Sequence, residues 1–212
     1  MNISRLIVIV MLAGSVSAWA GMEEDVARVR QEWERVKYEV SSKEQAAAFE
    51  KLLKDAEKVA AEQSNRAEAV IWYGIIEASY AGAKGGIAAL SLARNARKSF
   101  EQALAIDPNA LDGSAYTSLG SLYYQVPGWP IGFGDSKKAL ELLQKGLALN
   151  PDGIDPNYFY GDFLYRSGDY VAAEQALRKA LQAPSRAGRK LADEGRRKEI
   201  TELLAKIHEK KR

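Results

Sequence analysis

The stretches ARKSFEQALAIDP (96–108), ALELLQKGLALNP (139–151) and AEQALRKALQAP (173–184) decide the fold when they are set one above another. Ala96, Phe100, Ala103 and Pro108 recur as Ala139, Leu143, Gly146 and Pro151, at offsets of four, seven and twelve residues. They recur again as Ala173, Leu177, Ala180 and Pro184, at four, seven and eleven. Offsets of four and seven put the small and large apolar residues on one helix face, and proline ends the helix. Small residues let a neighbouring helix approach, and the large one fills the gap between the two. Each stretch is therefore read as the second helix of a repeating helical pair.

Upstream of each lies a matching first helix with a glycine at its centre: Trp72-Tyr73-Gly74, Leu119-Gly120 with Tyr123, and Tyr160-Gly161 with Leu164. Glycine inside a helix costs about 0.5–1 kcal/mol relative to alanine, so three at matching positions imply close packing. In this joint recurrence, over residues 66–184, the sequence resembles the tetratricopeptide-repeat family, although the family's tryptophan near the start of the first helix is missing from the second and third repeats. The resemblance implies an all-α, short right-handed superhelix of about nine helices. An amino-terminal helical pair is expected over 21–65, three divergent repeats over 66–184, and a capping helix with a basic tail over 185–212. The concave face should be lined by first-helix residues, including Tyr73, Tyr116, Tyr123 and Tyr160.

Ahead of the array, a charged start at Met1–Arg5 leads into an apolar run from Leu6 to Val16 and then Ser17-Ala18-Trp19-Ala20. Small residues at 18 and 20 suit a signal peptidase, so residues 1–20 read as a signal peptide cut after Ala20. The apolar run is shorter than the ~20 residues that span a bilayer, which argues against a membrane anchor surviving cleavage. The chain has no cysteine, so an oxidising compartment needs no disulfide and no thiol is available for a lipid. A periplasmic protein is expected. Thirty Lys and Arg balance twenty-eight Asp and Glu, interspersed along most of the chain, which leaves no general footprint for nucleic acid. The basic end (Arg186, Arg189, Lys190, Arg196, Arg197, Lys198, then Lys210–Arg212) reads as a solvated helix face with a frayed tail.

Two repeats are longer than the third. From helix-packing glycine to second-helix alanine the interval is twelve residues in the third repeat, nineteen in the second and twenty-two in the first. The surplus implies loop insertions near 82–91 and 126–135, side by side on one edge of the stack. The first, Ala81-Gly82-Ala83-Lys84-Gly85-Gly86, has the character of a hinge or slack. The second, VPGWPIGFGD (126–135), cannot continue a helix, and exposing its Trp129 and Phe133 would forfeit ~1.5–3 kcal/mol apiece. The rings should therefore pack, either as a plug on the concave surface or as the lining of a binding site; the two readings are compatible. Asp135 is placed to cap the helix starting at Ser136, with contact to a ligand as its alternative role.

That loop, in a divergent array behind a signal peptide, looks like the T-component proteins of bacterial TRAP transporters. The resemblance implies contact with an extracytoplasmic solute-binding protein and a small-molecule solute. The candidate binding residues are thus Tyr123, Tyr124, Trp129, Phe133 and Asp135 in and beside the loop, with Tyr73, Tyr116 and Tyr160 on the first helices. A generic envelope-assembly scaffold for protein partners is the alternative, and homo-oligomerisation is open.

An enzyme is not expected. The single histidine, His208, lies near the carboxyl end between charged residues, which leaves no histidine-based triad or zinc site. Of the remaining carboxylates, Asp152, Asp155 and Asp162 surround a helix start, where capping accounts for Asp155. No catalytic residue, metal or cofactor is assigned.

Overall fold

The computed structural model describes residues 4–211, with side chains from residue 21 onward. Among them are nine helices: α1 (Ser4–Tyr38), α2 (Gln45–Glu62), α3 (Ala67–Lys84), α4 (Gly86–Ile106), α5 (Ala110–Gln125), α6 (Ser136–Leu149), α7 (Ile154–Arg166), α8 (Tyr170–Leu181) and α9 (Lys190–Lys210). The all-α superhelix expected from the recurrence is what the chain forms. The residues read as a signal peptide lie outside those whose side chains are described. Among the described residues no helix is long and apolar enough to cross a membrane.

The glycines mark how each pair closes. A Cβ built on Gly74 would stand 2.8 Å from the Phe100 ring, one on Gly120 2.9 Å from Leu143 Cγ, and one on Gly161 2.8 Å from Leu177 Cγ. These are the large residues of the recurring second-helix pattern, and all three are buried. Each first helix thus receives the large side chain of its partner at the one position with no Cβ, and the helices pack at the distance that side chain sets.

The first insertion is not a loop. Its surplus is taken up as extra turns at the end of α3 and the start of α4, which meet at Gly85 and Gly86, both with φ near +65°. Alanines at 81, 83, 88, 89 and 93 are good helix formers, and a two-glycine corner satisfies the reversal without a linker. The second insertion is a loop, and Phe133 anchors it. Phe133 sits edge-on to Tyr123 at 5.5 Å between centroids, under the Arg97 guanidinium at 4.9 Å, against the cluster that holds Ala81, Ala89 and Leu92. The two long connections are neighbours on one rim.

Glu77 is buried where α3 meets α4 and accepts a hydrogen bond from Ser99 Oγ at 2.7 Å. Desolvation pushes its carboxyl up to about 7, against relief from Ser99 and Tyr73. The folded chain then holds a proton that the unfolded chain has released. The resulting stability is complete below about pH 4.5 and is lost as pH rises through 7. Glu77→Gln should leave stability at pH 4.5 within about 0.5 kcal/mol of the parent and raise it at pH 8 by about 2 kcal/mol, read by urea denaturation at both pH values.

Candidate functional site

The first helices form a ring. α1 packs on α3, α3 on α5, α5 on α7, α7 on α9, and α9 returns to α1. The second helices α2, α4, α6 and α8 sit outside and touch only first helices and α9. The array therefore closes on itself around a cavity of about 600 Å³.

Closure depends on the stretch expected to be a solvated basic end. Arg189 pairs with Glu34 of α1 and lies 5.2 Å from the Trp72 ring, and Lys37 of α1 pairs with Glu199 of α9 at 3.3 Å. Gly195 of α9 lies against the Tyr38 ring so closely that a Cβ there would overlap it. The expectation of a solvated face fails for a physical reason: α9 is two-faced. Ile200, Leu203 and Ile207 pack on α8, while Arg196 and Asp193 turn inward and are buried. A purely solvated capping helix would bury only one face.

At the centre of the polar wall is Asp155. Its Oδ1 accepts from Arg196 Nε at 2.8 Å and its Oδ2 from Arg186 Nη1 at 2.6 Å. Arg186 also donates to Asp193 at 2.7 Å, and Arg196 to Glu199 at 2.6 Å. The Arg196 guanidinium lies 4.3 Å from the Tyr158 ring and 4.8 Å from that of Phe159. Burial alone would raise the Asp155 carboxyl, but Arg196 and Arg186 outweigh it and hold the group at about 2. The capping role expected of Asp155 is overturned, since α7 begins after Gly153 with no side-chain cap and the carboxylate is taken by arginines. A carboxylate so strongly held ionised cannot serve as a proton donor near neutrality.

Counting from each packing glycine shows which first-helix residues face the cavity. Positions two before, one after and five after line it: Trp72, Ile75 and Ser79 on α3; Ser118, Ser121 and Gln125 on α5; Phe159, Asp162 and Arg166 on α7. These offsets trace one stripe of a helix of 3.6 residues per turn. Tyr73, Tyr116, Tyr123 and Tyr160, expected on this concave face, do not line it. Tyr73 and Tyr160 adjoin the glycine, and Tyr116 and Tyr123 lie four before and three after it, so all four turn to the side that meets second helices. Tyr73 packs beside the α1–α2–α3 cluster and Tyr160 among Ala139, Leu143 and Phe163. Tyr116 lies 5.7 Å from Lys145 Nζ. Tyr124 donates to Asp162 Oδ2 at 2.8 Å, tying α5 to α7.

The second loop is not a plug. Phe133 packs, but Trp129 is 90% exposed and Ile131 62% exposed, and neither lines the cavity. Phe133 takes the apolar notch beside Tyr123, and Trp129 and Ile131 stand in solvent. Asp135 caps α6, accepting from the Lys138 backbone N–H at 3.0 Å. Leu111 and Asp112 line the cavity, both with positive φ (48° and 53°) in a kink within the first turn of α5, a backbone strain of about 1–3 kcal/mol each. No group of three His, Cys, Asp or Glu among the described residues could hold a metal.

Residues 131–186 match the family model for the tetratricopeptide repeat. The structure of TTC0263, a thermophilic tetratricopeptide-repeat protein of Thermus thermophilus, superposes with a TM-score of 0.57 at 20% identity, over 76% of this chain and 74% of that one. The fold is a tetratricopeptide-type superhelix. A structure of MamA aligns with a TM-score of 0.44 at 21% identity, covering 78% of this chain and 90% of its own. Among curated protein sequences no match is found. Within this superhelix the matched segment runs from the second loop through α8.

Proposed function

We propose that this chain is an exported, non-catalytic tetratricopeptide-type binding scaffold that docks a protein partner in the cell envelope through one rim. One observation carries the reading. Among the described residues, the large apolar side chains more than 60% exposed are Ile87 (87%), Trp129 (90%), Ile131 (62%) and Val171 (61%), and each lies at or just after a connection from a first to a second helix. In a stacked array those connections share one rim, so the exposed apolar surface is gathered rather than scattered. A tryptophan held out on a loop that Phe133 and the Asp135 cap fix in place has the makings of an interface anchor. Export rests on the apolar run Leu6–Val16 and the small residues at 18 and 20.

The cavity within the ring favours a second, more specific reading, in which the scaffold is an accessory of a solute transporter of the TRAP T-component kind and its partner is an extracytoplasmic solute-binding protein. A closed ring around about 600 Å³ is within the size range of small-molecule sites, whereas an open superhelical groove suits extended peptides.

A photo-crosslinker placed at Ile131 should trap one envelope protein. Trp129→Ala should weaken that complex by roughly 30-fold, as loss of an anchor does, while shifting stability by less than about 0.5 kcal/mol. Equal capture with Trp129→Ala and with Ile87→Glu would remove the rim as the docking surface. A trapped solute-binding protein would support the transporter reading.

A further inference from the structure

The rim that carries the exposed apolar side chains is also one-sided in charge. Residues 78–100 and 113–140 build the α3–α4 corner with most of α4, then α5, the second loop and the start of α6. They hold six cations, Lys84, Arg94, Arg97, Lys98, Lys137 and Lys138, and a single carboxylate, Asp135, which is taken by the α6 cap. The rest of the chain reverses the balance, with 24 of the 30 Lys and Arg but 27 of the 28 Asp and Glu. These cations flank the loop that bears Trp129. The Arg97 guanidinium lies 4.9 Å from the Phe133 ring, which seats the loop against α4 beside the exposed Arg94 and Lys98. Lys137 and Lys138 follow the loop directly, and Lys84 stands three residues from Ile87 at the corner.

Among the described residues only Arg97 and Lys138 of the six pair with a carboxylate, each with one on its own helix, Glu101 at 3.4 Å and Glu141 at 3.5 Å. The fold does not ask for this arrangement. The first turn of α6 has two lysines and no carboxylate, against the preference of a helix amino end for negative charge. A local preference broken with no gain inside the fold marks a place kept for something outside it. We propose that the protein docked on this rim presents an acidic surface around the pocket that takes Trp129, so that Lys137, Lys138, Arg94 and Lys98 meet carboxylates as the tryptophan is buried. This rests on the reading of the rim as a protein-docking surface and adds the charge of the partner. A single tryptophan on an anchored loop suits a pocket of fixed shape better than a fluid bilayer, although anionic head groups would offer the same charge. The cations speed encounter and make it salt-dependent, while the apolar anchor sets the lifetime of the complex.

The test uses the exported full chain with the photo-crosslinker at Ile131, the trapped segment being identified by mass spectrometry. That segment should carry more Asp and Glu than Lys and Arg. Lys137→Glu with Lys138→Glu should lower the trapped yield at least about 10-fold at about 0.05 M salt and far less at about 0.5 M. Glutamates suit the amino end of α6, so this variant keeps its fold. Arg94→Glu with Lys98→Glu should act the same way from α4, whereas the same reversal at Lys54 and Lys58, exposed on α2, should change the yield by less than about two-fold. Capture that Trp129→Ala abolishes but that salt and both rim reversals leave unchanged would overturn the acidic partner and leave the rim reading standing. So would a trapped segment without an excess of acid, or an equal loss from the α2 reversal. Flotation with phosphatidylglycerol but not phosphatidylcholine vesicles, with no protein trapped, would replace the acidic protein by an anionic lipid surface. No protein trapped and no flotation with either vesicle would remove the rim reading itself.

Discussion

Phe100→Ala should destabilise the chain by about 4 kcal/mol, measured by urea denaturation followed by circular dichroism. Phe100 is buried, and its ring fills the space that Gly74 leaves open on α3. Alanine there vacates most of a phenyl ring between α3 and α4, in a buried cluster whose other members include Ala93, Ala96, Leu119 and Leu142. The same contact predicts a coupling. Gly74→Ala brings a methyl group to 2.8 Å from the ring and should be destabilising in the parent. In a Phe100→Leu background it should be milder by at least about 0.5 kcal/mol, since residues in direct contact do not add. Additivity in that cycle would mean that the glycine has no part in seating the second helix.

Asp155→Ala is the other large effect, about 3 kcal/mol. Removing the carboxylate leaves Arg196, whose side chain is only 8% exposed, and Arg186 facing each other with half their partners gone. Asp155→Asn keeps the shape and should cost less. The pH dependence separates charge from packing. A carboxyl held at about 2 in the folded chain, against an ordinary value of 3.8, contributes stability that is complete above the unfolded value and is lost as pH falls through 2. The parent should therefore lose stability between pH 4 and pH 2 more steeply than Asp155→Asn. Amide exchange should quicken in α9 before it does in α3 and α4, because the network holds α9 to α7 and α1. Parallel acid profiles for parent and Asp155→Asn would show that the ion pairs add nothing to the closed form.

The repeat was legible because its signals are local. Alanine, a large apolar residue, alanine and proline at fixed offsets define each second helix, and a glycine defines its partner; those spacings bring out the helical pairs from 66 onward nearly to the residue. Ring closure was not legible. Arg189 meets Glu34 from 155 positions away, and nothing in a run of basic residues distinguishes a solvated face from one turned inward. The cavity lining lay between these cases. Tyr73, Tyr123 and Tyr160 drew attention as aromatic residues beside the glycines, yet that neighbourhood is what turns them toward the second helices. Offsets of two before, one after and five after the same glycines would have singled out Trp72, Phe159, Asp162 and Arg166 instead. Hydrophobicity also misled the reading of 126–135, where one ring packs and the other stands in solvent, since the decision rests with the notch beside Tyr123.

Enclosure of the cavity by the first helices depends on α9 folding back onto α1. The chain has no cysteine of its own, so two can be introduced and spin-labelled without interference. Lys37→Cys on α1 and Glu202→Cys on α9 stand on facing sides of the groove between those helices. Dipolar spectroscopy should give one narrow, short inter-label distance, which broadens when Asp155→Ala is added. A long or broadly distributed distance in the parent would mean that the array is open, and with it the enclosed site would be lost.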